Sequence, residues 1–266
     1  MDLQLSGQRA FVSGSTQGIG YAVAEALLRE GVRVVVNGRT EERVRAATDR
    51  LARAVPGAEV TGIAADLADP DEVARVLARL GDLGDLDILV NNVGAFEVKP
   101  FEDVTDEDWQ AYFELNVMSG VRLSRGVLAG MLERGAGRII FVSSESGVDV
   151  PADMIHYGVT KAALLALGNG LAKRTRGTRV TVNTILGGPT YSDGVAGAVE
   201  QIAQLQGVPV EQLKGAIVAG RQTSLVQRFI EPREIADLAA FLASPLSSAT
   251  NGAALRADGG VLTGLL

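Results

Sequence analysis

The sequence predicts an α/β fold, a single domain built on a doubly wound parallel sheet. Three observations predict it. Short apolar runs recur along the 266 residues, each followed by a stretch of helical character. Strands alternating with helices at this spacing form parallel βαβ units. The first unit joins strand to helix through a glycine-rich turn, Gly14-Ser15-Thr16-Gln17-Gly18-Ile19-Gly20. No internal repeat, low-complexity stretch or linker divides the chain, so one domain over residues 1–266 is the economical reading.

Residues 9–13 read as a short buried strand, and Tyr21 to Glu30 as the helix after the glycine turn. That context gives the glycines a meaning. The backbone can approach a pyrophosphate, and the helix N-terminus turns its free N–H groups and positive dipole end toward it. The spacing is G-x3-G-x-G rather than the G-x-G-x-x-G dinucleotide fingerprint. Gly31 closes the helix, and Val32–Val36 is a second strand ending in Asn37-Gly38-Arg39. Thr40 N-caps the next helix, with Glu41 and Glu42 in its first turn.

Val60–Ala64 is a third strand, ending at Asp66, and Pro70 opens a helix that runs to Leu80. Leu86–Val90 is a fourth, running into Asn91-Asn92-Val93-Gly94. Thr105-Asp106-Glu107-Asp108 starts a helix with capping-box spacing. Asn116 lies in its apolar continuation, where a residue of low helix propensity asks for a reason. Arg138–Val142 is a fifth strand, ending at Ser143-Ser144, and Arg179–Ile185 a sixth, leading to Gly187-Gly188-Pro189-Thr190. Residues 190 to about 230 do not read as regular core; glycines and Pro209 separate short helical pieces. A segment of that length suggests a substrate lid, about 188–230. Pro232 stands at N1 of a last long helix, Arg233–Leu242, and Ala253–Ala257 is a final strand closed by Asp258-Gly259-Gly260.

Between the fifth and sixth strands stand Tyr157 and Lys161, four apart among strong helix formers. Positions i and i+4 share a helix face, so phenol and ammonium point the same way. An adjacent ammonium favours the phenolate, and the expectation is that Lys161 depresses the Tyr157 pKa.

Bulk properties exclude other classes. A net charge of -7 argues against nucleic acid or an anionic membrane as partner. With no cysteine there is neither a disulfide framework nor a thiolate metal site. The single histidine, His156, is too little for a metal site or a Ser–His–Asp triad, and reads as a plain exposed residue. The N-terminus has neither the basic nor the apolar region of a signal peptide. No apolar run approaches the roughly 20 residues of a membrane span. The expectation is a soluble cytoplasmic protein.

Taken in order, these motifs resemble the short-chain dehydrogenase/reductase family over essentially the whole chain: Ser13-Gly14-x3-Gly18-Ile19-Gly20, Asp66, Asn91-Asn92-Val93-Gly94, Asn116, Ser144, Tyr157-x3-Lys161, Gly188-Pro189-Thr190 and Asp258-Gly259-Gly260. The resemblance implies a Rossmann-type seven-stranded parallel sheet, a nicotinamide cofactor and an Asn–Ser–Tyr–Lys catalytic tetrad. The matching residues are Asn116, Ser144, Tyr157 and Lys161. Ser144 is preferred to Ser143 because it opens the Ser-x-x-Gly pattern ending at Gly147. The same resemblance assigns cofactor binding to Gly14, Ser15, Thr16, Gly18, Ile19, Gly20, Arg39, Asp66, Leu67, Asn92, Gly94, Tyr157, Lys161, Gly188 and Thr190. It assigns no metal, and it implies a homo-oligomer, a tetramer first.

Three positions depart from the family pattern. Ser13 stands in place of Thr and keeps the hydroxyl. Val93 replaces Ala. Gly187 replaces Pro, which is expected to loosen the loop beside the nicotinamide. The implied activity is interconversion of an alcohol and a ketone or aldehyde by hydride transfer, with Tyr157 as general acid/base. A 3-oxoacyl-thioester reductase and a non-catalytic nicotinamide-binding scaffold or sensor stay open as alternatives. For the cofactor, NADP(H) is preferred and NAD(H) possible. An NAD site places Asp or Glu at the end of the second strand; here that position is Gly38, followed by Arg39, a planar cation suited to a 2′-phosphate.

Overall fold

The computed structural model describes residues 1–220 and 223–265. Arg221 and Gln222, inside the expected lid, and the terminal Leu266 lie outside the described residues. Seven strands are β1 Arg9–Val12, β2 Arg33–Gly38, β3 Val60–Ala64, β4 Ile88–Asn91, β5 Ala136–Ser144, β6 Arg179–Gly187 and β7 Ala254–Ala257. The helices are α1 Gly18–Arg29, α2 Glu41–Ala54, α3 Pro70–Asp82, α4 Asp106–Phe113, α5 Ser119–Arg134, α6 Ile155–Ala172, α7 Asp193–Gln206, α8 Val210–Gly220 and α9 Pro232–Ala243.

All strands pair in parallel in the order β3-β2-β1-β4-β5-β6-β7. The direction of winding reverses between β1 and β4. A crevice therefore opens past the carboxyl ends of those two strands, the place where such sheets bind ligands.

Strand residues alternate between two cores. Ala10, Val12, Ile88, Val90, Ile140 and Val142 face α1 and α9 through Val23, Leu27, Ile235 and Ala239. Phe11, Leu89, Ile139 and Phe141 face α3, α5 and α6 through Val76, Leu80, Leu123 and Leu164. Burial on both faces explains why these strands read as unbroken apolar runs. Each fully buried side chain of this size contributes about 1.5–3 kcal/mol.

The expected caps are present. Thr40 accepts from the backbone N–H of Arg43, Thr105 and Asp108 form a capping box, and Pro232 opens α9. Three readings need correction. Helix α1 begins at Gly18, ahead of the expected Tyr21, because Gly14 (φ 59°) and Gly18 (φ 60°) take left-handed conformations that bend the strand straight into the helix. The segment after Thr190 forms two regular helices, α7 and α8, of 14 and 11 residues. Gly207 (φ 65°) ends α7 as a C-cap, so Gly207 and Pro209 mark the break between two whole helices, while Gly194, Gly197 and Gly215 lie within them. Gly187 belongs to β6 and pairs with Ser144 on one side and Ala257 on the other, so it loosens no loop; the loop starts at Gly188. Among the described residues no helix is long and apolar enough to cross a membrane, and no cluster of metal-ligating side chains is present.

Candidate active site

A cleft of about 520 Å³ lies at the carboxyl ends of β1, β2 and β4. It runs from Arg39 and Arg43 past Thr16, Gly18 and Ile19 to Asn92, Gly94, Tyr157 and Lys161. Its glycine wall is held by side chains rather than by the glycines alone. The Ser13 hydroxyl accepts from the backbone N–H groups of Asn92 (2.9 Å) and Val93 (3.0 Å), tying the β1 turn to the β4 turn. Asn92 Nδ2 donates to the carbonyls of Ser13 and Gly14, both at 3.0 Å. A Cβ on Gly14 would stand 2.9 Å from the Val93 Cα, and one on Gly20 would strike Asn92 and the Gly14 carbonyl.

No N-cap side chain covers the start of α1, since Gln17 makes no capping bond. Free N–H groups therefore face the cleft, which suits an anionic diphosphate. One is taken from an unexpected side: Asp193 Oδ2, in the first turn of α7, accepts from Gly18 N at 2.6 Å. At the far end Arg39 and Arg43 flank Gly38, and among the described residues no carboxylate lines the tip of β2. Asp66 and Leu67, past the end of β3, line the same cleft, and Asp66 Oδ1 accepts from Ala68 N at 3.0 Å. The cleft thus has the bare helix end and the cations that a dinucleotide phosphate needs.

Not every expected ligand faces this cleft. Ser15 is fully buried; its hydroxyl donates to the Val12 carbonyl (2.6 Å) and accepts from Asn37 N (2.9 Å). Gly20 is a packing position. Gly188 and Thr190 close the β6 turn, where the Thr190 hydroxyl donates to the Gly188 carbonyl at 2.9 Å. A Cβ on Gly188 would collide with the Asp258 backbone at 2.5 Å, which explains why the two glycine-bearing turns occur together.

The tetrad residues converge at the other end. Asn116 sits in a π turn, Glu114–Met118, between α4 and α5. This answers its odd place in a helix. Its Nδ2 donates to the Ala95 carbonyl and to Thr160 Oγ1, each at 3.0 Å, and its Oδ1 accepts from Ala95 N at 2.8 Å. Lys161 Nζ donates to the Val142 carbonyl at 3.1 Å and lies 5.6 Å from the centre of the Tyr157 ring. A Cβ on Gly94 would be 3.2 Å from Asn116 Oδ1 and 3.4 Å from Lys161 Nζ, so both groups reach the same spot. Ser144 ends β5, and the turn 145–147 after it packs on α6. That packing depends on two glycines. A Cβ on Gly147 would be 2.8 Å from the Lys161 carbonyl carbon, and one on Gly158 would be 2.8 Å from the Ser146 carbonyl oxygen. Phe96 closes the mouth, edge-on to Tyr157 at 6.2 Å between ring centres.

The electrostatics differ from the expectation. Burial pushes Tyr157 up to about 12; a hydrogen bond with Ser144 pulls it down, and the charge of Glu145 pushes it further up. Lys161 therefore does not bring this phenol below its ordinary value here, because the ammonium touches the ring and the Val142 carbonyl. Burial also lowers Lys161 to about 8, against the opposing pull of Glu145. His156 is a second correction. It is 1% exposed, packed edge-on against Trp109 and Tyr112, with no hydrogen-bond partner for either ring nitrogen among the described residues. A polar residue beside Tyr157 faces inward because the other face of α6 meets α4.

The sequence matches the short chain dehydrogenase family over residues 8–203. The chain belongs to this family. It is therefore an enzyme of the short-chain dehydrogenases, and its relatives span its full length. YvrD, an uncharacterized oxidoreductase of Bacillus subtilis, is 47% identical over 100% of both chains. The D-beta-hydroxybutyrate dehydrogenase of Cupriavidus necator is 36% identical over 96% of this chain and 98% of its own. The solved L-sorbose reductase of Gluconobacter frateurii, complexed with NADPH and L-sorbose, has a TM-score of 0.94 and 33% identity over 100% of both chains.

Arg43, Asp193, Glu145 and Gly158 were not legible as site residues. Arg43 lies four residues past Arg39, in the first turn of α2, a signal that was present. Asp193 and Glu145 reach the site only through the packing of α7 and of the 145–147 turn.

Proposed function

We propose that this enzyme reduces a ketone or aldehyde to an alcohol with NADP(H), and runs the reverse reaction, with Tyr157 as general acid/base. The observation that carries this reading is that Tyr157, hydrogen-bonded to Ser144 and beside Lys161, lines one end of a cleft whose other end holds Arg39 and Arg43. The nicotinamide, when bound, supplies or accepts hydride. The chain's residues do the rest. Arg39 and Arg43 hold the 2′-phosphate, where Gly38 offers no carboxylate to repel it. The bare N-terminus of α1 holds the diphosphate, and Asp66, Leu67, Asn92 and Gly94 line the remaining wall. Lys161 anchors the ribose and stabilises charge near the phenol. Asn116 fixes the turn at Ala95 against α6 and is the residue we assign to a water beside Lys161.

Tyr157, kept protonated by burial, is suited to give a proton to the developing alkoxide, which favours the reductive direction. Ser144 hydrogen-bonds the same oxygen. The bound NADPH of the sorbose reductase supports this choice of cofactor. Helices α7 and α8 are the proposed substrate lid. We also infer a homotetramer, resting mainly on the family resemblance; a monomer mass by light scattering at micromolar concentration would overturn it.

The test is Tyr157→Phe, with nicotinamide absorbance followed over a panel of ketones, aldehydes and 3-oxoacyl thioesters. The variant should lose about 10²–10⁴-fold in kcat while binding NADPH as before. More than a tenth of the wild-type kcat in the variant would sink the assignment.

A further inference from the structure

Gly38, at the tip of β2, is a glycine for want of room rather than for its backbone conformation. It pairs with Ala64 in the sheet and does not take a left-handed φ. A Cβ there would collide with Thr16 Cγ2, and Thr16 Oγ1 and Cβ would stand 3.2 and 3.4 Å away. All three atoms belong to one side chain, so Thr16 lies across the strand end. Threonine is branched at Cβ and stiff at χ1. Only the rotamer that turns its hydrogen toward Gly38 would open the space.

The glycine turn is not free to withdraw either. Ser15 N donates to the Asn37 carbonyl at 2.8 Å, and Asn37 N donates to Ser15 Oγ at 2.9 Å. Gly14 N donates to Asn37 Oδ1 at 3.1 Å, and Arg50 Nη2 on α2 donates to the Thr16 carbonyl at 2.7 Å. Thr16 is therefore fastened on both sides. Gly38 is fixed from β3, where its carbonyl accepts from Ala65 N at 2.9 Å.

We propose that Thr16 is a specificity-determining residue for the cofactor. Its methyl fills the space beside Gly38 and so bars the carboxylate that an NAD site places at the end of the second strand. Reading of the ribose 2′ position is left to Arg39 and Arg43. This rests on the reading of the cleft as the cofactor site. It follows that Gly38→Asp alone, the change suggested by the strand end, forces its side chain against Thr16 and makes a poor NADH site. The switch needs both positions. Thr16→Ala removes the methyl and hydroxyl and leaves a Cβ at 3.4 Å, an ordinary contact.

The first test needs no cofactor. Gly38→Ala should lower Tm by about 2–10 °C in the wild-type background, the effect of overpacking at this chain length. In the Thr16→Ala background the same substitution should leave Tm level or raise it, because alanine suits an ordinary strand conformation. The second test compares Gly38→Asp with Thr16→Ala/Gly38→Asp, using fluorescence titration of NADH and NADPH and kcat/KM for each. The ratio of NADH to NADPH efficiency should be at least about tenfold higher in the double variant, so the two substitutions are non-additive. Equal losses of Tm in both backgrounds, or a Gly38→Asp variant that favours NADH as strongly as the double variant, overturn the inference. Should Gly38→Asp fail to fold, the Gly38→Ala melts and the double variant decide. A wild type that binds neither nucleotide overturns the reading of the cleft, and this inference with it.

Discussion

Replacing Gly147 with alanine tests how the catalytic corner is assembled. The turn 145–147 lies directly on α6, and a Cβ at Gly147 would stand 2.8 Å from the Lys161 carbonyl carbon, 2.9 Å from Ala162 N and 3.0 Å from the Lys161 oxygen. These are backbone atoms, so no side chain can swing aside. Carbon atoms settle at about 3.5 Å or more, so the turn and the helix must part by about 0.7 Å. Forced overpacking of this kind costs about 1–3 kcal/mol, or a fall in Tm of about 2–10 °C at this chain length. The same displacement separates Ser144 from Tyr157. Misplacement on the ångström scale costs roughly 10²-fold in rate, so kcat should drop about 10- to 100-fold. The phosphate end of the cleft is untouched, and the NADPH Kd should stay within about threefold, a change of less than 1 kcal/mol. Thermal melts, steady-state reduction of a ketone and fluorescence titration of NADPH measure the three quantities. A variant with wild-type kcat and Tm, or one whose NADPH affinity falls as far as its kcat, would refute the reasoning.

Three further outcomes follow from the geometry. Arg39→Ala should lower kcat/KM for NADPH by at least tenfold, about 1.4 kcal/mol, while leaving NADH within about twofold; equal loss with both cofactors would remove Arg39 from the 2′-phosphate site. Lys161 is held at about 8 against an ordinary 10.5, so between those values the unfolded chain binds the extra proton and stability rises with pH, by about 3 kcal/mol across that window. Tyr157, pushed up to about 12, acts in the opposite sense only above pH 10. Urea titrations from pH 8 to 10 should show the rise in wild type and lose it in Lys161→Met; parallel curves would contradict the buried ammonium. Asp193→Ala cuts the tie from α7 to Gly18 N, so amide exchange over residues 190–220 should quicken in the cofactor-free enzyme. Unchanged exchange would mean that packing alone seats the helix.

The sheet and the tetrad were legible in the chain for a local reason. Strand runs, the glycine turn, Thr40, Thr105 and Pro232 act within a few residues of themselves, and their backbone demands are written at those positions. Tyr157 and Lys161 share a face because a helix has 3.6 residues per turn. The absence of a carboxylate at Gly38, with Arg39 next to it, could likewise be read from one strand end.

What the tertiary structure alone decided depends on contacts between distant segments. Ser15 looks like a ligand in a motif, yet Val12 and β2 engage its hydroxyl, and Gly20 is a glycine because Asn92 and Gly14 leave no room for a Cβ. His156 looks exposed until α4 brings Trp109 and Tyr112 over it. Asn116 needed Ala95 and Thr160 to account for it. Segment 190–220 became two helices, although its glycines argued for a loop. The pKa of Tyr157 went the other way from the helix-face argument because burial outweighs neighbouring charge when the ammonium is directed to the ring and a carbonyl. Desolvation depends on everything that surrounds a group, and the four-residue spacing of Tyr157 and Lys161 records only which way the two side chains point.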